Sequence, residues 1–255
     1  MFNWGALTLF LYITMRMSGF VLFNPIFGRS GIPALFQAGF IGMLSVTVFF
    51  TYGGTAAVPA NYLAFGLHLL IELGLGFVIA MIMRFFLYIA DQAGEFVDTQ
   101  MGMSMGRTYD PSSGTNMTVT ANLLNILMIL LFFVANGHIT LLRLMITSGE
   151  LVPFGTAYLL RPAADRAVEL FAECALLAVK LALPILAAEM LGQVGMGVLM
   201  KVIPQINVFA INIELKVIIG LLMLVMLLSP MSEFLLEAES AMLREMRKIL
   251  TLAGG

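Results

Sequence analysis

The chain is short of most of what a soluble enzyme uses. Charged residues fill only 11% of its 255 positions, against about a quarter in ordinary globular proteins. Cysteine occurs once, at Cys174 inside an apolar run, so an internal disulfide is excluded. The two histidines, His68 and His138, are far apart, and neither a Cys/His cluster with metal-ligand spacing nor a Gly-Lys phosphate loop occurs. No Ser-His pair or paired aspartates stand at a spacing that would support an intramembrane enzyme. The formal charge of -2 supplies no basic field for nucleic acid, which excludes that partner. What the chain has is apolar surface: 60% hydrophobic residues and a mean hydropathy of +0.99. That composition predicts an all-α, polytopic membrane protein or part of a strongly apolar assembly. Twenty methionines are many for this length. Copper binding is one use for them, and filling irregular gaps in a core is the commoner one.

The exception to this apolar character is the stretch from Asp91 to Thr118, with long hydrophobic runs on both sides. Asp91, Glu95 and Asp98 are spaced by four and three and share one face of a helix. Met101, Met103 and Met105 then alternate with Gly102, Ser104 and Gly106, and Tyr109-Asp110-Pro111-Ser112-Ser113-Gly114 has turn chemistry. Glycine frees the backbone and the thioether fills uneven space, so the stretch reads as an acidic helix feeding a deformable apolar loop. From residue types alone, a plain polar connection between two membrane helices is an equal reading.

In chain order, the first apolar run, Trp4 to Phe23, has about the 20 residues that span a bilayer. It lacks the basic start and the cleavage site of a signal peptide. Arg16 lies in its middle, where a charge costs at least about 2.5 kcal/mol unless it faces protein or water, so it is expected to point inward. Pro25, Arg29, Gly31 and Pro33 mark a turn before the second run, Ala34 to Tyr52. The third, Tyr62 to Ala90, exceeds one span and contains Glu72 and Arg84, which lie roughly 18 Å apart along a helix and must find partners elsewhere. The fourth, Val119 to Ala135, is interrupted by Asn136-Gly137-His138 and resumes too short to span, as a broken or re-entrant helix does.

After a polar connection from Glu150 to Arg166, the fifth run, Ala167 to Gly192, carries Lys180, Glu189 and an internal Pro184. A glycine-rich approach, Gly192 to Gly197, leads to the last run, Val208 to Leu228, which contains Glu214 and Lys216. Pro230 is expected to end that run, with Met231 to Leu250 forming a separate amphipathic helix. Arg244, Arg247 and Lys248 favour a cytoplasmic C-terminus. The result is about six apolar helical segments, several kinked or broken, packed as hairpins. Arg16, Glu72, Arg84, Lys180, Glu189, Glu214 and Lys216 are candidates for contacts between helices or between subunits. Snorkelling to a helix end is the simpler use of each.

Three motifs in this order carry a family resemblance. They are Gly94-Glu95-Phe96-Val97-Asp98-Thr99-Gln100-Met101-Gly102-Met103-Ser104 leading to Asp110-Pro111, then Asn136-Gly137-His138 with Ser148 and Pro153, then Pro204-Gln205-Ile206-Asn207-Val208-Phe209. With Arg16, Pro25 and the Ile32-Pro33 pair, the chain resembles over essentially its whole length the FliR/SctT family of type III secretion export-apparatus proteins. One departure is Ala34-Leu35-Phe36-Gln37, where the family often has a basic residue.

The resemblance implies more than composition does. It implies one copy of the chain in a helical hetero-oligomer with FliP- and FliQ-type subunits, at the export gate of the bacterial flagellum basal body in the inner membrane. Its neighbours would be FlhB- and FlhA-type components and membrane lipid, its substrates unfolded flagellar proteins, and its role transport without catalysis or cofactor. It also implies a FliP-like part over about 1–165 with a plug loop at 99–118, and a FliQ-like hairpin over about 166–255. Carried over by position, the plug is Met101, Gly102, Met103, Ser104, Met105, Gly106, Tyr109, Asp110 and Pro111 within Met101 to Gly114. An injectisome subunit of SctT type is the alternative within the family. From another class, a stand-alone secondary transporter is the rival, although the chain's breaks and prolines do not recur at one common offset as inverted repeats would.

Overall fold

The computed structural model describes residues 3–29, 31–59, 61–104, 108–110, 115–156, 161–202 and 208–254; of 108–110, 115, 161–162 and 208–211 it describes the backbone only. Helix α1 (Trp4–Phe23) starts at Asn3, whose side chain accepts from the Ala6 N–H at 3.3 Å. It stops at Asn24, whose Oδ1 accepts from the Ile26 and Phe27 N–H groups at 2.8 and 3.1 Å and turns the chain. Helix α2 (Ala34–Tyr52) ends at Gly53 in the left-handed conformation, φ 56°. Helix α3 (Tyr62–Met101) runs unbroken through 40 residues and takes in the acidic segment. Among the described residues, the departure from an all-α chain is a small antiparallel ribbon of β1 (Thr108–Asp110) and β2 (Thr115–Met117), with Tyr109 opposite Asn116.

Helices α4 (Val119–Val134) and α5 (Gly137–Leu151) meet at 66°. The break falls at Asn136, φ 58°, the one non-glycine residue with positive φ among those described. An asparagine tolerates this conformation better than most residues, so the expected broken helix is found with its corner at that side chain.

Helices α6 (Arg161–Val202) and α7 (Val208–Ala253) have 42 and 46 residues and correct three expectations. Helix α6 begins inside the supposed polar connection, because Pro162 at the second helical position gives up an N–H that has no partner there in any case. It also passes through Gly192, Gly195 and Gly197 without stopping. Pro230 does not end the last run, since α7 continues through it. A proline removes one backbone bond, and here buried Met231, Leu235, Ala238 and Met242 hold the helix beyond it against the core.

Helix α3 is the axis of the molecule and touches α1, α4, α6 and α7. Its approach to α1 is backbone to backbone: a Cβ on Gly19 would lie 2.2 Å from the Leu73 carbonyl oxygen, and one on Gly76 2.1 Å from that of Arg16. Helices α6 and α7 form an antiparallel hairpin. Arg166 at the start of α6 reaches Glu245 near the end of α7, and Gly192 near the end of α6 faces Ile219 near the start of α7. Five helices are long and apolar enough to cross a membrane, or six if the bent α4–α5 pair counts as one span. At 1.5 Å per residue α3, α6 and α7 are about 60 to 70 Å long, roughly twice a hydrocarbon core of about 30 Å.

Candidate functional site

The central loop leaves the helices through a narrow neck. Gly94 of α3 lies so close to α4 that a Cβ there would sit 2.2 Å from the Ala121 Cα. One turn further on, the buried Asp98 carboxylate accepts from the Thr120 N–H at 2.7 Å and the Thr120 hydroxyl at 2.6 Å, capping the start of α4 from the facing helix. Asn125 of α4 donates to Asp91. The acidic stripe thus faces α4 at Asp91 and Asp98 and closes the base of the loop. Glu95 and Gln100 are half-buried on the same helix.

Helix α3 ends in a left-handed turn. Gly102, φ 79°, donates to Thr99 O at 3.2 Å, and Met103 N–H reaches back to Asp98 O at 2.8 Å, the six-to-one bond of a Schellman motif. Met101 is fully buried. Its side chain fills a notch at Gly220 of α7, where an added Cβ would be 2.5 Å from the sulfur. Met103 and Ser104 are half-buried, and Met103 packs on the core. Tyr109 and Asp110 lie in β1. Met105, Gly106 and Pro111 lie outside the described residues, as do Pro204 and Gln205, while Phe209 stands in the first turn of α7.

Beside Gly220, Glu189 of α6 is completely buried. Lys216 stands one turn before Gly220 on α7 and is half-buried. Arg84, Lys180 and Glu214 are exposed on the outer faces of α3, α6 and α7, with no ion pair among the described residues. The motif Asn136-Gly137-His138 forms the α4–α5 corner. There the Glu239 carboxylate of α7 sits 2.3 Å from where a Gly137 Cβ would be, and His138 packs on Phe133 with centroids 5.0 Å apart.

A second buried cluster joins three parts of the chain. Arg16 Nε donates to Glu72 Oε2 at 2.6 Å, with side-chain exposures of 0% and 1%. Arg16 Nη1 donates to Val152 O at 3.0 Å and Ser148 Oγ at 3.3 Å, and its guanidinium lies 4.1 Å from the centre of the Phe154 ring. Glu72 Oε1 accepts from Gly155 N–H at 2.7 Å. Gly155 has φ 81°, and the Tyr12 ring occupies the space a side chain would need. The pair therefore holds the segment after α5 against α1 and α3. An acid partner 56 residues away could not be read from spacing.

These features define an α-helical, polytopic membrane protein whose buried charges tie helices together and whose one long polar segment is a loop strapped at its base. The chain belongs to the bacterial export proteins, family 1, whose family model matches residues 7–242. Among relatives, it is 24% identical over 250 residues to the flagellar biosynthetic protein FliR of Bacillus subtilis, covering 96% of this chain and 95% of that protein. It is 26% identical over 233 residues to the FliR of Escherichia coli, covering 89% and 87%. It is also 24% identical over 160 residues to the surface presentation of antigens protein SpaR of Salmonella typhimurium, covering 62% and 60%.

Proposed function

We propose that the chain is a subunit of the flagellar type III export gate in the bacterial inner membrane. In this reading it assembles in one copy with FliP- and FliQ-type subunits, next to FlhB- and FlhA-type components, and conducts unfolded flagellar proteins. The near full-length relatives named as FliR support the flagellar assignment over the injectisome one, because the match to SpaR covers less of both chains. The loop at 99–118 acts as the closure. The observation that carries this is the neck: Asp98 on Thr120 and Gly94 on Ala121 fix the base of the loop, and Met101 is seated against Gly220, so the loop hangs from a rigid frame. Met101, Gly102, Met103, Ser104, Met105, Gly106, Tyr109, Asp110 and Pro111 form the seal. Apolar thioethers shut the passage and the glycines let it reopen. The part up to about 165 is FliP-like and the α6–α7 hairpin FliQ-like. Exposed Arg84, Lys180 and Glu214 meet opposite charges on neighbouring subunits, since a charge left in lipid costs at least about 2.5 kcal/mol.

Deleting residues 101–106 in cells that overproduce the assembled gate is expected to raise small-ion conductance across the membrane. Unchanged conductance, with the complex still assembled, would overturn the gating role.

A further inference from the structure

We propose that the groove between α5 and the C-terminal part of α7 binds the phosphate headgroup of an anionic phospholipid. The groove has a volume of about 450 Å³ and receives Arg143 from α5 and Arg244 and Arg247 from α7. Its floor is apolar, with half-buried Leu144 and Leu243, and Glu150 is the one acid on its rim. None of the three guanidiniums makes an ion pair among the described residues; Arg244 donates only to the Ser240 hydroxyl, at 3.1 Å.

The acid that sequence places nearest them is directed elsewhere. Glu245, between Arg244 and Arg247, is taken by Arg166 of α6 through Oε1 and Oε2, each at 3.0 Å, with Lys248 3.9 Å away. Arg166 is itself shared with Glu169 and Glu173. The fold thus neutralises Glu245 on α7 and leaves the groove with three guanidiniums, two from α7 and one from α5, against one carboxylate. Three planar forks converging on one space suit a phosphate, which accepts paired N–H bonds.

The source of that phosphate follows from position. The cluster lies at the end of α7 that carries the chain's densest positive charge, which is the side expected to face the cytoplasm. Anionic headgroups are concentrated at that surface, and basic pockets between membrane helices hold them there. The leucine floor gives the glycerol and upper acyl chain an apolar bed beside the arginines, which a free anion would not use.

The test uses the full chain purified with the membrane proteins that accompany it. It is placed in nanodiscs of phosphatidylcholine with a minor fraction of phosphatidylglycerol, and retained lipid is read by native mass spectrometry. Each surface arginine is worth about fivefold in headgroup affinity, so the pair Arg143→Gln and Arg247→Gln is expected to weaken phosphatidylglycerol retention about thirtyfold. The corresponding lysine pair should lose less, and Lys201→Gln, an exposed cation at the far end of α6, should retain as the wild type does. If the glutamine pair does not yield a monodisperse complex, each single variant still reads about fivefold. Undiminished retention in the glutamine variants overturns the proposal. So does an equal loss in Lys201→Gln, which marks a diffuse charge effect. Displacement of the lipid by millimolar inorganic phosphate identifies a free-anion site and also overturns it, as does protection of the groove by a co-purified acidic protein segment in place of lipid.

Discussion

Replacing Arg16 by methionine keeps most of the side-chain length and removes the charge. It leaves the Glu72 carboxylate at 1% exposure with the Gly155 N–H as its remaining hydrogen bond, at 2.7 Å. Breaking a buried pair from one side costs about 3–5 kcal/mol, because the surviving charge is uncompensated. The Val152 carbonyl loses its donor as well, adding about 1 kcal/mol. Against a total stability of about 5–15 kcal/mol this is a severe change. Glu72→Leu should be comparable, for the same reason from the other side. The double variant Arg16→Met with Glu72→Leu removes both charges, and such replacements range from neutral to stabilising. What then remains is the loss at Gly155 N–H and Val152 O, about 1–3 kcal/mol each at most. The double variant should therefore melt well above the sum of the singles, with a coupling of about 3 kcal/mol. In fluorescence-detected size exclusion of the heated complex, each single variant should fall about 10 °C and the double should recover at least half, taking about 2–4 °C per kcal/mol for a chain of this size. An Arg16→Met protein that melts with the wild type, or a double that equals the summed singles, would refute the view that these two groups share one buried charge balance.

Two glycines of the loop frame should separate folding from closure. Gly94→Val drives a side chain into the Ala121 backbone and should abolish the folded complex, whereas Gly220→Ala meets the unbranched Met101 side chain, from Cγ to Cε, with no backbone atom among its three nearest. The second variant should assemble at near wild-type levels yet leak ions, and a tight membrane with Gly220→Ala would show that the Met101 seat has no part in closure. Co-expressed with its neighbouring genes and examined by native mass spectrometry, the chain should appear once per complex with several copies of two smaller membrane proteins. Expressed alone it should aggregate or be degraded, and a stable monodisperse monomer would argue for a self-contained transporter.

The sequence makes the number of apolar segments legible, because a 20-residue hydrophobic run at membrane length has few other uses. The corner at Asn136 is legible for a similar reason: a polar Asn-Gly-His triplet inside an apolar run must break something. Pairings across long separations are not legible. Nothing in the spacing joins Arg16 to Glu72, Met101 to Gly220 or Asp98 to Thr120, because each depends on how α3 lies against other helices. The acidic spacing at Asp91, Glu95 and Asp98 indicates a shared helical face without saying whether that face meets water or α4. Pro230 and the Gly192–Gly197 stretch mislead in the same direction. Local propensity marks them as stops, at about 1 kcal/mol per glycine and about 3 for proline; beyond Pro230 the burial of Met231, Leu235, Ala238 and Met242 outweighs that cost, whereas α6 runs on past Gly197 through exposed residues.

Because α3 is continuous, it behaves as a rigid beam with a fulcrum. Gly76, where it bears on α1, is 25 residues from Met101, roughly 37 Å at the helical rise. A tilt of about 5° about that bearing sweeps the far end through roughly 3 Å over such an arm, about one methylthio group's width. The Gly94–Ala121 and Asp98–Thr120 contacts near that end therefore fix the angle at which the Met101 thioether meets its notch.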